Sequence, residues 1–296
     1  MKEITIISGK GGTGKTTITA SLASMGQKLI LCDADVDAPD LHLLMLPDIQ
    51  EEHVFESSWL AEIDTGLCTQ CGICQEYCRF DAIHPDETGN LKINPFKCEG
   101  CRLCEKICPS GAIHSSRNNN NHWYISQTQI GTMVHASMGA GEENSGKLVT
   151  QVRKTARELA KKADAEWILT DGPPGTGCPV IASVTGTDAV LLVIEPSTPG
   201  IHDAKRIIEL VRSFNIPVFA MINKADINPD MTKSVCEYLE IEEIPLLGQI
   251  PFDPVFVKAM IRGSALIKYA PESVPAKILF DIWMNLERQF VKYSVK

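Results

Sequence analysis

The sequence predicts an α/β protein in which helices cover both faces of a mostly parallel sheet, a three-layer αβα arrangement, with a small α+β domain inserted into it. Three observations carry that expectation. Near-continuous apolar runs at 4–8, 28–33, 166–171, 189–194 and 218–223 read as strands buried on both faces, and helical periods separate them. The first run breaks into a glycine-rich loop and then a helix. Between residues 59 and 114 the composition turns abruptly cysteine-rich and repetitive. The chain is therefore expected to divide into a first sheet-forming part, 1–58, an insertion, 59–114, and a second sheet-forming part, 115–296.

The chain has 296 residues, 44% of them hydrophobic and 22% charged, which suits one large domain plus a small one with an adequate core. A net charge of −9 argues against nucleic acid as a partner, because phosphate binding needs a basic surface. The first residues enter a strand with no basic and apolar leader, and no apolar run approaches a membrane span. A cytoplasmic protein without stable membrane insertion is expected. Eleven cysteines in a reducing compartment suggest metal rather than disulfides.

The first element sets the chemistry. Ile4–Ser8 is a β-rich run, and Gly9-Lys10-Gly11-Gly12-Thr13-Gly14-Lys15-Thr16-Thr17 follows it into a helix spanning roughly 14–26. Closely spaced glycines let backbone N–H groups turn inward around an anion. Lys15 can reach β- and γ-phosphates, the Thr16 hydroxyl can ligate Mg²⁺, and the helix N-terminus adds its dipole. Gly9, Gly11, Gly12, Thr13, Gly14 and Thr17 complete the cradle. Lys10 is a second lysine that one cradle does not need; it reads either as a solvated loop charge or as a cation for a transferring phosphoryl group.

The string Lys10–Thr16 resembles the deviant Walker A loop of the MinD/Mrp family of P-loop ATPases, a group that also contains nitrogenase iron protein and ATPases that carry iron–sulfur clusters. The resemblance implies the P-loop NTPase fold, ATP or ADP with Mg²⁺, and hydrolysis of ATP. In the family the first lysine crosses to the nucleotide of the other subunit. It thus implies a homodimer through the nucleotide face, with Lys10 and Lys15 both catalytic.

The next strand ends in Asp33 and opens into Asp33-Ala34-Asp35-Val36-Asp37-Ala38-Pro39-Asp40. This is either a solvated acidic loop or, at the carboxyl end of a parallel strand, a set of carboxylates facing the metal and phosphates. By the resemblance, Asp33 matches the acid near the metal shell and Asp35 the acid that positions attacking water. Asp37 stands where MinD has glycine.

In the insertion, Cys68, Cys71, Cys74 and Cys78 follow C-x₂-C-x₂-C-x₃-C, and Cys98, Cys101, Cys104, Cys108 and Pro109 repeat it. In such runs three cysteines hold one [4Fe–4S] cluster and the fourth ligates the other. That gives one set of Cys68, Cys71, Cys74 and Cys108 and a second of Cys98, Cys101, Cys104 and Cys78. Zinc is the competing occupant, but structural zinc usually takes two separated C-x₂-C pairs. The segment resembles a bacterial two-cluster ferredoxin, with Arg79 where a proline is usual.

Asn118–Asn121 reads as an exit linker. Gly141–Leu148 imitates a second Walker A, but Leu148 stands where a hydroxyl is needed, so a helix cap at Asn144-Ser145 fits better. His135 reads as a structural histidine. The apolar strand ending in Asp171 has the form of a Walker B acid that holds Mg²⁺, and Asp171-Gly172-Pro173-Pro174-Gly175 resembles the family's version. Cys178, Cys32 and Cys236 read as small packed side chains. A helix is expected at about 201–214. Asn223-Lys224-Ala225-Asp226 is similar to the guanine-reading signature of GTPases; in the MinD/Mrp family the matching asparagine contacts adenine. Asn223 is thus a base contact by resemblance, and Pro251 lies in the loop that closes over the base. Leu279, Ile282, Trp283, Leu286 and Phe290 share a helical face expected to pack on the sheet.

Two functions follow. The first is a dimeric Mg-ATPase coupling nucleotide state to electron transfer or iron–sulfur handling, with a protein redox partner or a metallocofactor client. The second is an ATP-dependent dimerising scaffold whose clusters are sensors or structural. Amide synthesis of the cobyrinic-acid type would need a glutaminase region for which no length remains.

Overall fold

The strands that read as continuous apolar runs form the middle of one nine-stranded sheet. The computed structural model describes residues 1–56, 59–117, 119–139 and 145–293, the side chains of 291–293 excepted. In chain order the elements are β1 (Lys2–Ser8), α1 (Lys15–Ala23), β2 (Leu29–Asp33), α2 (Leu41–Met45), β3 (Asp48–Phe55), β4 (Trp59–Ile63), α3 (Ile73–Glu76), β5 (Ile83–Pro85) and β6 (Leu91–Ile93). Next come α4 (Leu103–Ile107), β7 (Ile113–Arg117), β8 (Asn121–Thr128), β9 (Gly131–Ser137), α5 (Ser145–Lys162), β10 (Trp167–Pro174), α6 (Cys178–Val184), β11 (Ala189–Ile194) and α7 (Thr198–Ser213). The chain continues through β12 (Val218–Asn223), α8 (Pro229–Ile241), β13 (Leu246–Ile250), α9 (Val255–Ile261), α10 (Leu266–Tyr269) and α11 (Val274–Tyr293).

Two compact units result. One comprises Met1–Glu52, Trp123–Ser137 and Ser145–Lys296; the other comprises His53–His122 with Met138–Asn144. The second is wider than the expected 59–114. The supposed linker also ends in structure: Asn121 opens β8, is buried, and its Oδ1 accepts the Gly139 N–H at 3.0 Å. The imitated Walker A at 141–148 begins outside the described residues, as does the Asn144 cap; Ser145–Leu148 start α5.

In the first unit the sheet order is β13-β12-β11-β1-β10-β2-β9-β8-β3, and the run from β13 to β9 is parallel throughout. Successive residues of a strand point to opposite faces, so the apolar runs feed two cores. Ile4, Ile6, Leu31, Leu169, Leu191 and Phe219 pack against α1 and α11. Ile7, Val190, Leu192, Val218 and Ile222 pack against α6, α7 and α8. The expected apolar face of α11 lies on the sheet: Trp283 tilts on Trp167 at 5.3 Å and Phe290 meets the same ring edge-on at 5.3 Å. Helix starts follow local chemistry. Ser197 accepts the Gly200 N–H at the head of α7, with proline in the first turn, which starts the helix at 198 rather than 201. Among the described residues no helix is long and apolar enough to cross a membrane.

The second unit is small. β4 pairs antiparallel with β7, β5 with β6, and the core is Ala61, Cys74, Ile83, Leu91 and Ile113 with six further cysteines and isoleucines partly buried around it, among them Cys78, Cys98, Cys104 and Cys108. Its internal repeat extends to the backbone. Left-handed φ values recur at Gln70 and Gly100, at Gly72 and Arg102, and at Asp81 and Gly111, the same offset that relates Cys68 to Cys98.

The buried histidine of β9 has a structural role, as expected. His135 Nε2 lies 2.8 Å from Ser126 Oγ, its ring stacks on Tyr124 at 5.0 Å, and burial, aided by His42, pushes its pKa down to about 4. The folded state therefore binds fewer protons than the unfolded chain, so this contribution is complete above pH ~6.5 and is lost as pH falls toward 4. Urea titrations should show wild type losing about 3 kcal/mol more than His135→Gln between pH 7 and 4. Parallel pH curves for the two proteins would refute this role.

Candidate functional site

Where β1 ends, its chain direction must reverse into α1 within six residues, and the turn is made possible at Gly14. Its φ of 88° lies in the left-handed region, and a Cβ there would stand 2.5 Å from Asn223 Nδ2. A close approach also constrains Gly9, whose Cβ would meet that of Asp203 at 2.3 Å. Gly9, Gly11, Gly12, Thr13 and Gly14 thus wrap the head of α1, as the motif requires.

The carboxyl ends of β10 and β2 lie side by side, pairing Asp171 with Asp33. Lys15 enters between them from α1. Its Nζ is 2.9 Å from Asp171 Oδ1 and 3.6 Å from Asp35 Oδ2, and the side chain is 6% exposed. Asp171 also accepts hydroxyl hydrogen bonds from Thr16 at 2.7 Å and Thr19 at 2.8 Å. Burial works against the Lys15 ammonium, but Asp171 and Asp35 outweigh it and raise its pKa. Burial, then the neighbouring Asp171, pushes Asp33 well above the carboxylate range; burial also lifts Asp35 to about 6 against the pull of Lys15. Three carboxylates share one close ammonium.

Asp33 Oδ1 accepts the Asp35 N–H at 3.1 Å, whereas its buried Oδ2 has no partner among the described residues. A buried carboxylate oxygen without a donor, beside the Asp171 carboxylate and the Thr16 hydroxyl, is a hard-oxygen set with excess negative charge, which suits Mg²⁺. Among the described residues no three or more His, Cys, Asp or Glu converge closely enough to hold a single ion; here the acids close on Lys15 instead.

Above these groups lies a cavity of about 710 Å³, walled by the glycine loop, Asp35, Asp37, Leu43, Pro174 and Met260. Its volume is that of a small-molecule site. A second cavity of about 250 Å³ adjoins the other side of the loop, sharing Gly12, Gly14, Thr17 and Met260 with the first, and it is walled by Asn223, Pro251, Phe252 and Phe256. Asn223 Nδ2 donates to Thr13 O at 2.7 Å and its Oδ1 accepts the Lys224 N–H at 3.0 Å. The expected base-contact residues Asn223 and Pro251 thus line one cavity, and Asn223 also fastens the phosphate loop. Lys10 is partly exposed yet turned back onto its own chain. Its Nζ pairs with Glu195 Oε1 at 3.2 Å.

Glu195 and Met260 escaped the sequence reading. Glu195 carried a usable signal, an acid closing the apolar run of β11, just as Asp33 and Asp171 close β2 and β10. Met260 comes from α9 and carried none. Cys32 is buried as expected and Cys236 is half-buried, but Cys178 is exposed at the head of α6, where the turn after Gly177 turns it outward.

All eight cysteines of the second unit are free thiols. Cys78, Cys98, Cys101 and Cys104 line one cavity together with Cys74. Burial raises the Cys74 pKa, and its thiol neighbours are Cys68, Cys108 and Cys71. Burial pushes Cys104 up to about 11, with Cys98, Cys101 and Cys74 as neighbours. Backbone N–H groups point at equivalent sulfurs: Ala82 to Cys78 at 3.5 Å and Ala112 to Cys108 at 3.3 Å. Cys74 thus neighbours cysteines of both runs: Cys68, Cys71 and Cys108 on one side and Cys104 on the other.

Residues 4–267 match the CobQ/CobB/MinD/ParA nucleotide binding domain family. An uncharacterized protein of Methanocaldococcus jannaschii is 38% identical over 232 residues, covering 76% of this chain and 79% of that one. An iron-sulfur cluster carrier protein of Pyrococcus horikoshii is 23% identical, covering 94% of this chain and 82% of its own. Among solved structures, the septum site-determining protein MinD of Pyrococcus horikoshii in complex with Mg-ADP superposes with a TM-score of 0.59 at 19% identity, covering 97% of this chain and 96% of that one.

The Gly14 geometry gives a direct check. Gly14→Ala forces a left-handed alanine into the Asn223 amide, so fluorescent-nucleotide affinity should fall at least about tenfold and urea stability by about 1–2 kcal/mol. Wild-type affinity in that variant would contradict the loop geometry.

Proposed function

The chain belongs to the CobQ/CobB/MinD/ParA nucleotide-binding family, and from that premise we propose that it is a cytoplasmic Mg²⁺-dependent ATPase. It works as a homodimer through its nucleotide face and couples nucleotide state to electron transfer or iron–sulfur handling. The observation that carries the reading is the joint presence, in one chain, of a phosphate loop beside a buried carboxylate oxygen with no partner among the described residues and of eight cysteines in two C-x₂-C-x₂-C-x₃-C runs.

Each residue has a role in this reading. The loop from Gly9 to Gly14, with Thr17, holds the phosphates through its backbone, and Lys15 stabilises charge on the β- and γ-phosphates. Thr16, Asp33 and Asp171 would hold Mg²⁺, which when bound neutralises charge on the phosphate oxygens. Lys15, which pairs with Asp171 and Asp35, would turn from those carboxylates to the phosphates of a bound nucleotide. Asp35 orients the attacking water, while Lys10 is delivered to the nucleotide of the other subunit. Asn223 and Pro251 border the base.

Cys68, Cys71, Cys74 and Cys108 would hold one [4Fe–4S] cluster, and Cys98, Cys101, Cys104 and Cys78 the other; such clusters supply one-electron transfer when bound. N–H groups are aimed at the sulfurs of Cys78 and Cys108, and the Cys108 pKa is lowered by the Ser110 hydroxyl and nearby N–H groups in spite of burial. The partner is a protein redox partner or a metallocofactor client. The 23% identical iron-sulfur cluster carrier protein is consistent with either.

Anaerobic purification with iron and sulfide counts, and EPR of the dithionite-reduced protein with ATP, ADP or neither, tests the reading. About eight irons per chain and nucleotide-dependent spectra are expected. Spectra indifferent to nucleotide would favour a dimerising scaffold, and zinc in place of iron would overturn the cluster assignment. Cys108→Ser should lose the set containing Cys74 and retain about four irons.

A further inference from the structure

We infer that Glu195 is a positioning residue that holds Lys10 within its own subunit, and that Lys224 makes this hold reversible. The inference rests on the proposed dimeric ATPase, in which Lys10 must leave its own chain to reach the other subunit's nucleotide.

One carboxylate bridges two ammonium groups. Glu195 Oε1 is 3.2 Å from Lys10 Nζ, and Oε2 is 2.9 Å from Lys224 Nζ. Lys10 Nζ also lies 3.5 Å from Ser197 Oγ, and Lys224 Nζ donates to Gly12 O at 3.0 Å. The two lysines are held differently. Lys224 is anchored at its far end by a loop carbonyl, and its backbone is fixed at φ 58° directly after Asn223, which itself donates to Thr13 O. Lys10 hangs from Glu195 and one long hydroxyl contact.

The consequence follows from charge balance. Glu195 is 22% exposed, so a Lys10 that was its sole partner would leave behind a half-buried carboxylate without a counter-charge. With Lys224 fixed in place, the carboxylate keeps a counter-charge when Lys10 departs. The two ammonium groups also repel each other across the shared carboxylate, which loosens the less anchored one. Burial opposes ionisation of Glu195, but the hydrogen bonds from Lys224 and Lys10 outweigh it and lower its pKa. Glu195 therefore sets the equilibrium between a parked and a released Lys10, and Lys224 biases it toward release.

The two residues predict effects of opposite sign, which a general loss of structure does not. An exposed ion pair shifts an equilibrium by up to about fivefold, and a symmetric dimer opens two of them, so the product is up to about twenty-five-fold. The dissociation constant of the dimer, measured by sedimentation on the full chain under anaerobic conditions at saturating Mg-ATP, should fall by up to that factor in Glu195→Gln. In Lys224→Met, where Glu195 is left to Lys10 alone, it should rise by a comparable factor, with saturation verified by fluorescent-ATP titration. Lys10→Ala, run beside them, separates the two levels of inference. If Lys10→Ala abolishes ATP-dependent dimerisation while the other two variants shift it in the same direction or leave it unchanged, the role of Glu195 is overturned and the dimer reading stands. If Lys10→Ala dimerises as wild type does, the crossing lysine itself is refuted.

Discussion

Everything at the nucleotide end of the sheet depends on one buried cation. Lys15 sits among Asp33, Asp35 and Asp171 because three elements deliver them there: α1 begins with the lysine at the end of the glycine loop, and the parallel strands β2 and β10 pair Asp33 with Asp171. Removing any one carboxylate's charge from water is costly, and a single ammonium does not repay three of them. The site is thus built with an electrostatic deficit of one cation, expressed as an Asp33 oxygen with no donor and an Asp35 carboxyl lifted to about 6. A divalent metal with a phosphate chain would satisfy the same groups in a different arrangement, with the lysine moving from carboxylate to phosphate.

The cysteine unit is governed by a different constraint. Its wholly buried apolar core is only a handful of side chains, and small domains of this kind rarely fold on hydrophobic burial alone. In the proposed reading, metal ligation would supply the missing free energy, and Cys74 is itself a member of that core. The repeat in backbone conformation at Gln70/Gly100, Gly72/Arg102 and Asp81/Gly111 is the geometric counterpart. Several of these positions carry ordinary L-residues in the left-handed region, a strain that persists where surrounding structure over-determines it.

Much of this was legible in the residues. The glycine loop, the buried strands ending at Asp33 and Asp171, the apolar face of α11 and the repeat of the two cysteine runs all follow from local spacing and period. The edge of the sheet did not. β3 is almost wholly exposed, and β8 and β9 bury polar residues: Ser126 and His135, which satisfy each other, and Asn121, which accepts the Gly139 N–H. Local patterns read such residues as turns, because the partner that satisfies them is distant in sequence. Cys178 was misread for a related reason: its small apolar side chain suggests burial, but a helix start after Gly177 faces it to solvent. Glu195 ended an apolar strand as the two metal-side acids do, yet without its lysine partners in view it looked like an ordinary loop acid.

The dipeptide Asn223-Lys224 joins the two halves of the nucleotide site into one hydrogen-bonded piece. Asn223 walls the smaller cavity and holds Thr13 O; Lys224 follows at once, holds Gly12 O and shares Glu195 with Lys10. The end of β12 therefore grips consecutive carbonyls of the phosphate loop from the side where a base would lie. Occupation of the smaller cavity presses on the same residues that fix the loop and that balance Lys10. Coupling between two sites requires a shared element with more than one arrangement, and Glu195 between two lysines is such an element. What a nucleotide does at its base end and what Lys10 does at its phosphate end are, in this chain, consequences of the same carboxylate.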